Sequence, residues 1–244
     1  MAERSEIQFG LTNISFLIRR SVRRGTVALT IEHDGGLVVT APNDVSVDKL
    51  NAVVRSKALW VIQHSRQVRE LPPRPSEREF VSGETVLYLG RQLRLKVVDA
   101  DDHAGPRMRG GWYEIPVDRG LTAAQRRLEV RRRLAASLKE HADTYLPERL
   151  ADVCVRLRID KRPDLIVRDQ RKRWGSCDAH GTLRINWRII QAPIRLIEYV
   201  MAHELVHLEH PHHGPDYWAA LGRMMPDYEE RRKRLRVLGP MLEW

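Results

Sequence analysis

The sequence predicts an α+β fold, a β-rich N-terminal part packed on a core that carries its chemistry on a buried helix. Three observations lead there. Apolar and β-branched residues alternate in short runs through the first hundred residues, apolar residues recur at three- and four-residue spacing in later segments, and Leu183, Ile185 and Trp187 alternate with Arg184, Asn186 and Arg188 just ahead of the last such segment. The N-terminal mixed, β-rich region with one helix is placed at residues 10–118 and the core at 119–244, the two forming one continuous functional unit.

Taken in order, short strands are expected at 14–18, 26–31 and 37–39, with His33-Asp34-Gly35-Gly36 as a hairpin turn. From Ser46 to Val68 the residues Leu50, Val53, Val54, Trp60, Val61 and Ile62 set a helical period behind the caps Ser46 and Asp48. Leu71-Pro72-Pro73-Arg74-Pro75-Ser76 cannot continue it and reads as an extended connection. Runs 85–89 and 93–98 flank Gly90-Arg91 as a hairpin, and Gly110-Gly111 marks a further strand pair. Thr122 is positioned to cap a long helix reaching Leu150. A strand at 165–167, a loop at 171–181 and a returning strand at 182–187 follow, and Pro193 suits the first turn of the next helix.

Composition narrows the function. No run approaches the roughly 20 apolar residues of a membrane-spanning helix, and the opening MAERSEIQFG lacks the apolar stretch of a secretory signal, so a cytoplasmic location is expected. With only Cys154 and Cys177, neither a disulfide framework nor a four-thiolate site can form, and any metal must lean on histidine. The net charge of +10 comes mostly from arginine, densest at 126–133 and 171–173. At helical spacing such a run is foremost a solvated face; weak nucleic-acid contact is the alternative it allows.

His203-Glu204-Leu205-Val206-His207 lies on the helix after Pro193 and places two imidazoles one helical turn apart, so both reach a single ion. Catalytic zinc typically takes three protein ligands and keeps one position open. Pro211 should end the helix near His210, and Gly214-Pro215 favours a turn that folds His212 or His213 back; His213 is the expected third ligand. His210 rises about 10.5 Å above His203 along the axis, too far to share a tetrahedral site. Glu204, beside the first ligand, is the expected general base. Tyr217 and Trp218 read as packing residues, with Asp216 as a cap for their helix. Cys177 lacks a base at a diagnostic spacing and is not expected to be a nucleophile.

Arg173-Trp174-Gly175-Ser176-Cys177, Leu183-Arg184-Ile185-Asn186-Trp187 and the His203 to His207 motif continuing to His213 and Tyr217-Trp218 together resemble the YgjP-like zinc metallopeptidases, relatives of the SprT-like and minimal gluzincin-like peptidases. The resemblance implies a zincin-like core with an HExxH active-site helix, one zinc per chain on His203, His207 and His213, Glu204 as catalytic base, and a peptide or protein substrate. His210 stands where metzincins place glycine, which disfavours that group. The substrate is expected to bind as a strand added to 182–187, with the Trp174 loop at the entrance. Two alternatives are a zinc-dependent nucleotide pyrophosphatase or phosphoester hydrolase, and a basic nucleic-acid-associated protein whose zinc is structural.

Overall fold

The structure, a computed structural model, describes residues 3–32, 34–70, 77–100, 105–170 and 173–244. The chain forms two compact units, Met1–Pro73 and Arg74–Trp244.

In the first unit, β1 (Glu3–Phe9), β2 (Thr12–Arg20), β3 (Ala28–Ile31) and β4 (Leu37–Ala41) form one sheet in the order β1-β2-β4-β3. β2 lies antiparallel to β1 and parallel to β4, and β3 pairs antiparallel with β4. Alternation explains the buried face: Ile14, Phe16 and Ile18 point inward along β2 and meet Leu50, Val54 and Val61. The sequence leads to one helix here, but two form, α1 (Val47–Ser56) and α2 (Ala58–Arg69), parted at Lys57 with φ −111° and ψ 14°. No glycine or proline marks that break. Ser46 caps α1 as expected, its side chain accepting from the Lys49 amide. The strand β1 carries mixed charge and its alternation escaped the sequence reading. His33 of the expected turn and the connection 71–76 lie outside the described residues.

The second unit holds a sheet in the order β5-β6-β8-β7, from β5 (Thr85–Tyr88), β6 (Arg91–Asp99), β7 (Arg107–Arg109) and β8 (Trp112–Val117). The segment up to 118 that the sequence groups with the N-terminal region thus places its second half here. The reason is a shared core: Leu95, Tyr113 and Ile115 pack with Leu134 and Leu138 of α3 (Ala123–Leu157), and the Tyr113 hydroxyl donates to Ser137 at 2.8 Å. Thr122 forms a capping box with Gln125 at the start of α3. The arginines of α3 are largely paired on the surface, Arg126 with Asp99, Arg127 with Glu77, and Arg132 and Arg133 with Glu129.

Three further strands, β9 (Leu165–Arg168), β10 (Gly175–Cys177) and β11 (Leu183–Asn186), form a sheet in the order β10-β11-β9. The expected returning strand is therefore parallel to β9, because β10, inside the segment read as loop, supplies the antiparallel reversal. A 3₁₀ helix (Trp187–Gln191) leads into α4 (Ile194–Val206), then α5 (Pro215–Met224) and α6 (Tyr228–Leu242). The β5–β6 turn fixes where α4 starts: Leu89 and Gly90 have φ of 49° and 78°, and their amides donate to Ile190 and Gln191 carbonyls at 2.8 and 3.2 Å. A Cβ on Gly90 would lie 2.8 Å from Pro193 Cα, so both the positive φ and the close approach require glycine. Among the described residues no helix is long and apolar enough to cross a membrane.

Candidate metal centre

Leu196, Ile197, Val200, Met201 and Leu205 bury three sides of α4 in the core, which carries His203 and Glu204 inward with it. The helix stops sooner than Pro211 alone predicts: it ends at Val206, with His207 as its C-cap. His207 Nδ1 donates to the His210 carbonyl at 3.0 Å, which leaves Nε2 with its lone pair free to ligate. His210 thus acts through its backbone. The chain then turns, and Gly214, not Asp216, occupies the N-cap of α5, with Pro215 at its first turn.

That turn brings His213 back. Ligating atoms of His203, His207 and His213 all lie within 4.8 Å of one another, and Nε2 of His203 and of His213 stand 3.0 Å apart. Two nitrogens bound to one tetrahedral ion at about 2.0–2.1 Å would be separated by about 3.3 Å. The His203–His213 pair is thus close to the spacing a tetrahedral ion requires, and His207 brings a third imidazole within 4.8 Å of both. Burial, followed by the neighbouring His213 and His207 rings, pushes the His203 pKa down to about 3, and burial likewise lowers that of His213. Neutral imidazole is the form that ligates. His203 Nδ1 is buried without a hydrogen-bond partner among the described residues, so packing holds this ring: Tyr199 and Tyr217 lie 5.9 and 5.3 Å from it, centroid to centroid. Tyr217 is buried and its hydroxyl donates to the His203 carbonyl at 2.9 Å, tying α5 to α4.

Glu204 is 5% exposed, and burial raises its pKa to about 7 against the opposing pull of Arg173. It shares with His203 the wall of a cavity of 290 Å³. Above it lies β10. A Cβ on Gly175 would fall 2.5 Å from Glu204 Oε1 and 2.7 Å from its Cγ, so glycine serves here to make space for the carboxyl rather than to make a turn. Trp174 is half-buried and packs against Gly239 of α6. Ser176 donates to Gln170 at 3.4 Å, and burial raises the Cys177 thiol pKa, the opposite of an activated nucleophile.

The sheet order corrects the expected peptide-binding strand. β11 is paired on both sides, so it has no free edge; β10 is the edge strand nearest Glu204. In its register, Trp174 and Asp178 exchange backbone bonds with Asn186 and Thr182, which makes 175–185 and 177–183 the pairs whose N–H and C=O groups point away from β11.

A family model described as YgjP-like, metallopeptidase domain, matches residues 25–237, nearly the whole chain. The chain belongs to the YgjP-like metallopeptidase family. Two solved structures are also similar: the metallopeptidase zymogen jannalysin of Methanocaldococcus jannaschii, with 18% identity over 39% of this chain and 96% of that one, and the zymogen abylysin of Pyrococcus abyssi, with 16% identity over 38% and 92%. Both have a TM-score of 0.34. No curated protein matches the chain.

Sequence reading gathers the three histidines and the glutamate of this YgjP-like chain because they sit within one helix and the turn after it. It misses Tyr199, the role of Gly175, and the α6 residues Arg232 and Arg236 that line the cavity. Their spacing from the motif carries no period, since only the packing of α6 on α4 brings them near.

Proposed function

We propose that this chain is a zinc-dependent peptidase that holds one zinc ion through His203, His207 and His213 and uses Glu204 as general base. The observation that carries the reading is the convergence of three imidazoles beside a buried carboxyl that shares a cavity wall with the first of them. A zinc ion in such a site supplies Lewis acidity, polarising a carbonyl and bringing the pKa of a water to about 7.

The chain's own groups do the rest. Glu204 accepts a proton from the attacking water and returns it to the nitrogen of the departing amine. Burial strengthens the Glu204 carboxylate as a base relative to a solvated glutamate, and a neighbouring zinc dication would work in the opposite direction. Gly175 and Cys177, with backbone groups directed off the sheet edge, are placed to pair with an extended peptide laid along β10. The missing side chain of Gly175 lets the Glu204 carboxyl lie against the face of the strand whose free edge would pair with the substrate.

Glu204→Gln keeps the shape of the side chain and removes the base. Cleavage of unfolded protein substrates should fall by about 10²-fold or more with zinc retained; wild-type cleavage in this variant would eliminate Glu204 as the base. Nucleoside triphosphates assayed alongside should remain intact, and their hydrolysis in place of peptides would substitute the phosphoester reading.

A further inference from the structure

We infer that the cavity beside His203 and Glu204 is a subsite for a substrate carboxylate, so that this chain favours peptides bearing an acidic group next to the bond it cuts. The inference rests on the peptidase reading above and adds a substrate class to it.

The cavity is walled by Trp174, Tyr199 and Leu235 and rimmed by Arg173, Arg232 and Arg236. Its 290 Å³ is at the small end of ligand pockets, a size for one side chain rather than a whole ligand. Among the described residues the only carboxylate in the lining is Glu204, which the proposed reaction already employs. Arg232 and Arg236 sit one turn apart on α6 and so share a face, while Arg173 comes from the opposite side, just ahead of β10.

What sets Arg173 and Arg232 apart is how other arginines nearby are used. Arg149, Arg156 and Arg231 converge on Glu198, Arg184 pairs with Asp178, and Arg188 with Asp169. Arg173 and Arg232 have no carboxylate at ion-pair distance among the described residues. Arg232 is nonetheless ordered by a stacking contact, its guanidinium 5.0 Å above the Trp218 ring, and Trp218 in turn stacks on Tyr228 and flanks His213. Arg232 and Arg173 are exposed at the cavity rim, where a guanidinium can meet an entering carboxylate in a bidentate contact. The apolar wall of Trp174, Tyr199 and Leu235 accommodates the methylene stem that would carry that carboxylate.

The test uses zinc-loaded full-length protein and acetylated, amidated peptides differing only in Glu against Gln, or Asp against Asn, at each position flanking the cleaved bond. A Gln peptide with a free C-terminal carboxylate separates side-chain from main-chain recognition. At one position the acidic peptide, or the free-carboxylate peptide, should be cut about tenfold faster in kcat/KM, the order expected for a charge-assisted contact. Arg173→Gln with Arg232→Gln should bring that ratio to near one, and Arg232→Lys should retain part of it. Peptide affinity measured calorimetrically with Glu204→Gln protein gives a readout independent of turnover. Cleavage with no acidic or carboxylate preference overturns the inference and leaves the peptidase reading standing. Preferential binding of the carboxylate without any cleavage does the reverse, and binding of neither peptide overturns it.

Discussion

At the residue scale the candidate site depends on one space and one hydrogen bond. Glu204 fits under β10 because residue 175 has no side chain. Gly175→Ala must push either the carboxyl or the strand by the better part of an ångström, and misplacement on that scale costs about 10² in rate. Peptide cleavage by Gly175→Ala should fall accordingly while zinc content stays at the wild-type level; unchanged cleavage would show that Glu204 does not react from this position. The bond from His207 Nδ1 to the His210 carbonyl sets the tautomer of the His207 ring through a backbone atom. This division explains what was legible. The convergence of His203, His207 and His213 could be expected from local spacing, whereas the constraint on Gly175 could not, because it comes from a side chain on another element.

At the element scale, α4 is held by a buried charge. Glu198, 5% exposed, receives Arg149 and Arg156 from α3 and Arg231 from α6. Burial alone would raise its pKa, but Arg156 and Arg149 outweigh it and hold the carboxyl below its ordinary range. Glu198→Ala should lower the unfolding free energy by about 2–3 kcal/mol, less than for a fully buried pair because the arginines can recover water. Urea unfolding measures it, and a change under about 0.5 kcal/mol, the range of neutral surface substitutions, would deny the ion cluster its role. Helix starts were readable, since Ser46 and Thr122 cap where expected, but the break at Lys57 was not; the hairpin expected around Gly90-Arg91 forms with its turn at 89–90, and that at Gly110-Gly111 forms as well. Pairing around β11 was not readable. β11 was expected as a returning strand, but β10 was hidden within the segment read as loop because a three-residue strand has too few positions to show a period.

At the scale of the whole molecule, the excess positive charge lies over a surface where many arginines already have partners. Glu129 is one such partner: Arg132 and then Arg133 hold its pKa down to about 2 from an ordinary 4.5. Between those values the unfolded chain binds the proton and the folded chain does not, so this group's stabilisation is complete above about pH 4.5 and is lost as pH falls toward about 2. Unfolding followed from pH 5 to about 2.5 should show a flatter pH dependence in Glu129→Gln than in wild type, and identical slopes would contradict it. The same scale explains why the second cavity wall was invisible in the sequence, since α6 meets α4 only through tertiary contacts, the shared core and the Arg231–Glu198 pair. The peptidase reading rests on a metal bound by three histidines, and its most direct test is zinc per chain in protein purified without added metal, for wild type, His213→Ala, His212→Ala and Glu204→Gln. One zinc in wild type, His212→Ala and Glu204→Gln and far less in His213→Ala is the predicted result; zinc retained in His213→Ala, or none recovered by wild type on adding zinc, would contradict the account.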